Sequence, residues 1–120
     1  MYAVHEKLSL TRGLAAAHGL CIGVLTETDA CKVPRTWAFV DQIRRAALSL
    51  ELNIVEGYVL QTKPQFLQHL WIALGSAVEV ERLLEIAAEI DYLPSGPLRD
   101  LRARADRAIG ALYGMLKRMQ

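Results

Sequence analysis

The chain has little of what usually declares a function. Its 120 residues include two cysteines, Cys21 and Cys31, too few for a disulfide framework and in keeping with a reducing cytosol. Net charge is scarce as well, +1, so no overall field draws the chain to nucleic acid or to anionic lipid. Long charge-free runs are missing: Gly13–Thr26 and Pro64–Val78 are the longest, short of the ~20 residues of a membrane helix. The segment "MYAVHEKLSL" has no basic region ahead of an apolar one and does not read as a signal peptide. There is no Gly-rich phosphate loop, no nucleophile elbow and no C-x-x-C motif. No Glu has a His three residues later, which removes the Glu-x-x-His pairs of di-metal bundles. No cofactor and no enzymatic activity are expected.

Apolar residues are plentiful. They make up 52% of the chain, and the mean hydropathy is +0.19. A domain of this size has much surface for its volume, so the excess points to apolar surface covered by a partner. The residues follow helical spacing, with no strand alternation. Helix 1 is predicted over roughly Tyr2–Leu25, with Leu10, Leu14, Ala17, Cys21 and Val24 on one face. Pro34 suits the first turn of helix 2, which is predicted to run to about Glu56, with Gly57 as its C-terminal cap. "TKPQ" reads as a capping box, Thr62 as N-cap and Gln65 three residues on. Helix 3 extends to about Ile90, "DYLPSGP" breaks the chain, and helix 4 runs from about Leu98. Short connections between long amphipathic helices predict one all-α domain over 1–120, an antiparallel up-down four-helix bundle.

Helix 2 sorts into faces at about 100° per residue. Phe39, Val40, Ile43, Ala47, Leu50 and Ile54 form its core stripe. Beside it runs a polar ridge, Gln42, Arg45, Ser49, Asn53 and Glu56. On the far side lies a second apolar stripe, Leu48, Leu52 and Val55. A bundle helix needs one apolar face, so the second implies an oligomer interface. Residues equidistant from the turn near residue 60 face each other, which puts Arg45 near Ser76 and Glu79 and suggests an Arg–Glu pair. Two readings of Arg45, Asn53, Glu56, Ser76 and Glu79 stay open. One is a polar ridge that holds helices in register. The other is a carboxylate and histidine site for metal or catalysis, built on Glu56, Glu79 and the histidines. Glu56 is also expected to accept hydrogen bonds from the start of helix 3 or from an arginine, clamping the turn.

Charge is uneven along the chain. The end of helix 3 is acidic and helix 4 basic, with Glu89 expected opposite Arg99 and Glu85 opposite Arg102. Arg104, Arg107 and Arg118 project from the other flank of helix 4, as a subunit contact or a nucleic-acid surface. His18 and Cys21 share a helix face, a thin basis for a metal site beside plain core packing. His5 and His69 have no evident partner in the sequence.

"QIRRAALSLELNIVEG" (Gln42–Gly57) followed by "ALGSAVEVERLLEIA" (Ala73–Ala87) resembles small bacterial four-helix-bundle proteins encoded in intervening sequences of large-subunit ribosomal RNA genes. Accessory variability proteins of diversity-generating retroelements are similar. The resemblance rests on Arg44, Arg45, Asn53, Glu56 and Gly57, then Gly75, Ser76 and Glu79. It implies a homopentamer of four-helix bundles around a central channel and no known enzymatic activity. In the retroelement branch it implies binding of nucleic acid and a reverse transcriptase through a basic surface. Family members often carry a proline and a small residue where this chain has Glu51 and Leu52, so a straighter helix 2 is expected.

Overall fold

Four amphipathic helices of similar length bury their apolar stripes most simply by lying side by side. The computed structural model describes the backbone of residues 4–60 and 62–119 and the side chains of residues 7–60 and 62–119. Helix α1 is Val4–Thr28, α2 Trp37–Val59, α3 Lys63–Glu89 and α4 Ser95–Met119. A 3-10 turn, Pro34–Thr36, leads into α2. Each helix packs on its sequence neighbours, and α4 closes against α1. The chain is an all-α antiparallel up-down four-helix bundle, 47 × 21 × 19 Å. The start of helix 1 at Tyr2 and the side chain of His5 lie outside the described residues.

The core is aliphatic and continuous. Ala17, Leu20 and Val24 of α1 meet Ile43, Leu50 and Ile54 of α2, Leu70, Val80 and Leu84 of α3, and Leu101, Ala108 and Leu112 of α4. All twelve are shielded from solvent. Small side chains such as Ala17, Ala47, Ala73 and Ala105 let the backbones approach closely, and leucines fill the spaces between. Among the described residues no buried side-chain nitrogen or oxygen lacks a hydrogen-bond partner. Despite its short charge-free run, the stretch Lys7–Thr28 is long and apolar enough to cross a membrane by length and composition. Its Ala17, Leu20, Cys21 and Val24 are buried in the bundle core.

Three helix ends differ from the sequence reading. α1 continues to Thr28 because Arg44 caps it: Nη1 donates to the Leu25 carbonyl at 3.1 Å and to Thr28 Oγ1 at 2.8 Å. A cation at a helix C-terminus meets the orphan carbonyls and the negative dipole end. α2 runs past Gly57, which is not its cap. A Cβ on Gly57 would come within 2.8 Å of His69 Cβ and 2.9 Å of Phe66 Cδ1, so the glycine serves close packing of α2 on α3. α4 begins at Ser95, three residues before the expected Leu98.

The start of α3 is half as expected. Thr62 is extended at the N-cap, with Pro64 in the first turn. Its hydroxyl bonds to Gln65 Oε1 at 2.5 Å and not to the backbone, so no capping box forms. At the far end Asp91 is left-handed, φ 56°, and Tyr92 N–H donates to the Ala87 carbonyl at 3.0 Å. That is the Schellman pattern, with aspartate where glycine is usual.

Candidate functional site

The polar residues of α2 and α3 form a ladder along their shared seam. Gln42 Nε2 donates to Glu79 Oε2 at 2.5 Å. Ser49 Oγ and Ser76 Oγ are 2.9 Å apart. Asn53 Nδ2 donates to the Ser49 carbonyl at 2.8 Å, and Asn53 Oδ1 lies 2.9 Å from His69 Nδ1. The amide oxygen can only accept, so His69 Nδ1 carries the proton. These rungs lie where residues equidistant from the hairpin turn should meet. Helical side chains three or four apart share a face, so the residues at 42, 49, 53 and 56 had to line one flank. Which of them cross to α3 was decided by packing.

Arg45 does not pair with Glu79. It turns back one helical turn to Asp41, Nη2 to Oδ2 at 3.0 Å, with both side chains mostly exposed. Gln42 takes Glu79 instead. Nor is Glu56 the clamp expected at the turn. Its side chain is 64% exposed, and the His69 Nδ1 beside it is 3.8 Å away, beyond hydrogen-bond reach. At the start of α3, Phe66 N–H donates to the Thr62 carbonyl at 3.0 Å, and Thr62 provides no side-chain cap. Glu56 therefore stands at the rim of the ladder. His69 is the rung that the sequence reading left without a partner, although its distance from the turn places it opposite Asn53.

The arginines of α4 are less free than their spacing suggests. Arg104 Nη1 donates to the Gly19 carbonyl at 2.8 Å, and its Nε pairs with Asp100 at 3.0 Å. Arg118 Nη1 donates to Ser9 Oγ. Both tie α4 to α1, Arg104 half-buried, while Arg107 and Arg118 remain exposed. Across α3 and α4 the expected Glu85–Arg102 pair is replaced by a local one, Glu85 with Arg82 at 2.8 Å. Glu81 instead faces Asp106. Partial burial, a hydrogen bond to Asp106 and the charges of Asp106 and Glu85 all raise the Glu81 carboxyl above its ordinary value, against a small opposing effect of Arg82.

The metal reading finds no geometry to support it. Among the described residues no three His, Cys, Asp or Glu side chains gather as a metal site. His18 is exposed and turns to Glu51, Nδ1 to Oε1 at 2.7 Å. Cys21 is buried, and burial first, then the Glu51 charge, raises its thiol. A metal ligand must be a thiolate, so this environment disfavours binding.

Apolar side chains are also exposed on the outside of the bundle. Leu48, Leu52 and Val55 are 42%, 53% and 42% exposed, and Val59 extends the row. On α3, Trp71, Ile72 and Val78 are comparably open, whereas α4 shows one large exposed apolar residue, Tyr113, among the described residues. The apolar surface is thus gathered on the α2 and α3 side.

A family model described as "23S rRNA-intervening sequence protein" matches residues 13–114, most of all four helices. The chain belongs to that family. A search of curated proteins finds no match to it. Among solved structures, this family member is similar to a crystal structure of a protein with unknown function from the S23 ribosomal protein family from Bacteroides thetaiotaomicron. The two share 18% identity at a TM-score of 0.82, covering 95% of this chain and 99% of the other. At that identity the likeness is one of fold.

Proposed function

We propose that this protein is a non-enzymatic scaffold that works as a closed homo-oligomer, a pentamer by its family resemblance. The exposed apolar stripe Leu48, Leu52 and Val55 carries the reading. Contiguous apolar surface of this kind marks an interaction site, and here it repeats along a helix whose opposite face already fills the core. The polar seam supports the same view, because its groups are consumed in holding α2 to α3. Light scattering at micromolar concentration tests it. A particle several times 13.4 kDa is expected, and a monomer overturns the reading. Leu52→Glu should dissociate the particle, since an unpaired carboxylate in an apolar contact costs several kcal/mol, roughly 3–5.

The basic flank of α4 favours nucleic acid as the scaffold's cargo. Arg104 and Arg118 are held in place by α1, and Arg107 stands open between them. In a ring this flank recurs once per subunit, so weak contacts add by avidity. Binding should be independent of sequence and fall steeply with salt as phosphate contacts release counterions. No binding of RNA or DNA at about 50 mM salt, where such contacts are strong, would leave a scaffold for proteins alone.

A further inference from the structure

We propose that a second copy of this chain lays its α3 antiparallel on α2, in the register that α2 keeps with its own α3. The inference rests on the oligomeric reading above and names the contact that builds the particle. The exposed face of α2 carries Asp41, Leu48 and Leu52, spaced seven and four residues apart. Read in the reverse direction, the exposed face of α3 carries Arg82, Gly75 and Trp71 at the same spacings. Set antiparallel, they meet as three pairs. Asp41 faces Arg82, opposite in charge. Leu48 faces Gly75, large against small. Leu52 faces Trp71, two apolar side chains about half exposed in the single chain.

Gly75 gives independent support. It lies in the interior of a long helix, where glycine weakens the helix. A Cβ there would meet nothing within 4 Å, so nothing inside the subunit asks for glycine. Gly19, Gly96 and Gly110 are equally open, and Gly75 is the one of the four on α3, one turn from the exposed Trp71, where a bare backbone leaves room for a side chain of a second copy. The charges are also available for exchange. Among the described residues Asp41 pairs with Arg45 and Arg82 with Glu85, each on its own helix. Exposed local pairs of this kind are weak and are readily redrawn on docking. Each copy keeps an α3 face for the next after its α2 face is covered, a head-to-tail contact that closes into a ring.

Charge exchange and steric blocking test the pairing, with particle mass as the readout. Asp41→Arg alone and Arg82→Asp alone should each shift the protein toward 13.4 kDa, and the two together should restore the wild-type mass. Gly75→Leu has room inside the subunit, so helicity by circular dichroism should be unchanged while the particle dissociates. A wild-type oligomer whose mass survives Gly75→Leu and both single charge variants overturns the pairing and leaves oligomerisation standing. Single charge variants that dissociate, with no recovery in the double variant, overturn it too. A wild-type monomer overturns both readings at once.

Discussion

His69 Nδ1 donates to Asn53 Oδ1 at 2.9 Å, and the same Asn53 side chain donates back to the Ser49 carbonyl at 2.8 Å. One amide therefore joins α3 to the backbone of α2, and both its polar ends are used. Ser49 in turn meets Ser76. A chain of hydrogen bonds across a packed seam fixes the offset of two helices that apolar contacts alone would let slide.

Asn53→Ala should cost about 1–3 kcal/mol, because it leaves His69 and the Ser49 side without their partner in a partly buried seam. Glu56→Ala, one turn on, should stay within about 0.5 kcal/mol, as for other exposed positions. Chemical denaturation of both variants checks the contrast. Equal losses would return Glu56 to the role of a clamp.

Glycines divide by what surrounds them. Gly57→Ala should destabilise by roughly 1–3 kcal/mol, the scale of overpacking, since its Cβ would press on His69 and Phe66. Gly110→Ala, where a Cβ meets nothing within 4 Å, should stabilise α4 by about 0.5–1 kcal/mol. Thermal melts of the two variants should move in opposite directions.

Asp91→Gly should raise stability by about 1 kcal/mol, because the left-handed conformation at the end of α3 costs an ordinary residue that much and glycine nothing. The carboxylate is also poorly placed beside the negative end of α3. An unchanged or lower melting temperature would mean that the Asp91 side chain stabilises this turn.

Glu81 gives a pH dependence whose sign follows from its raised carboxyl, a consequence of partial burial and of facing Asp106. The folded chain holds this proton more tightly than the unfolded chain does. The favourable contribution is therefore complete below the unfolded carboxyl value and is lost as pH rises through the folded one. Glu81→Gln should match the wild type in acid and exceed it at neutral pH by a few tenths of a kcal/mol, roughly the scale of exposed charge pairs. Denaturation midpoints at pH 4 and pH 7 read the difference.

The helices and their faces were set by the sequence alone. Apolar residues at 3.6-residue spacing on all four segments, with Pro34, Thr62 and "DYLPSGP" between them, admit one architecture, because local periodicity needs no knowledge of distant residues. The outward stripe Leu48, Leu52 and Val55 was legible for the same reason. The choice of polar partners required the tertiary structure. Arg45 and Gln42 both lie on the ridge read from the sequence, and only the packed helices show that the amide takes Glu79 while the guanidinium turns back to Asp41. Gly57 looks like a helix end in the sequence and proves to be a contact point, since the Phe66 and His69 that demand it lie on another helix. Arg104 and Arg118 look free on their own helix and are held by Gly19 and Ser9, 85 and 109 residues away. Spacing along a helix fixes which side chains share a face, and only the approach of a second helix fixes which of them find a partner there.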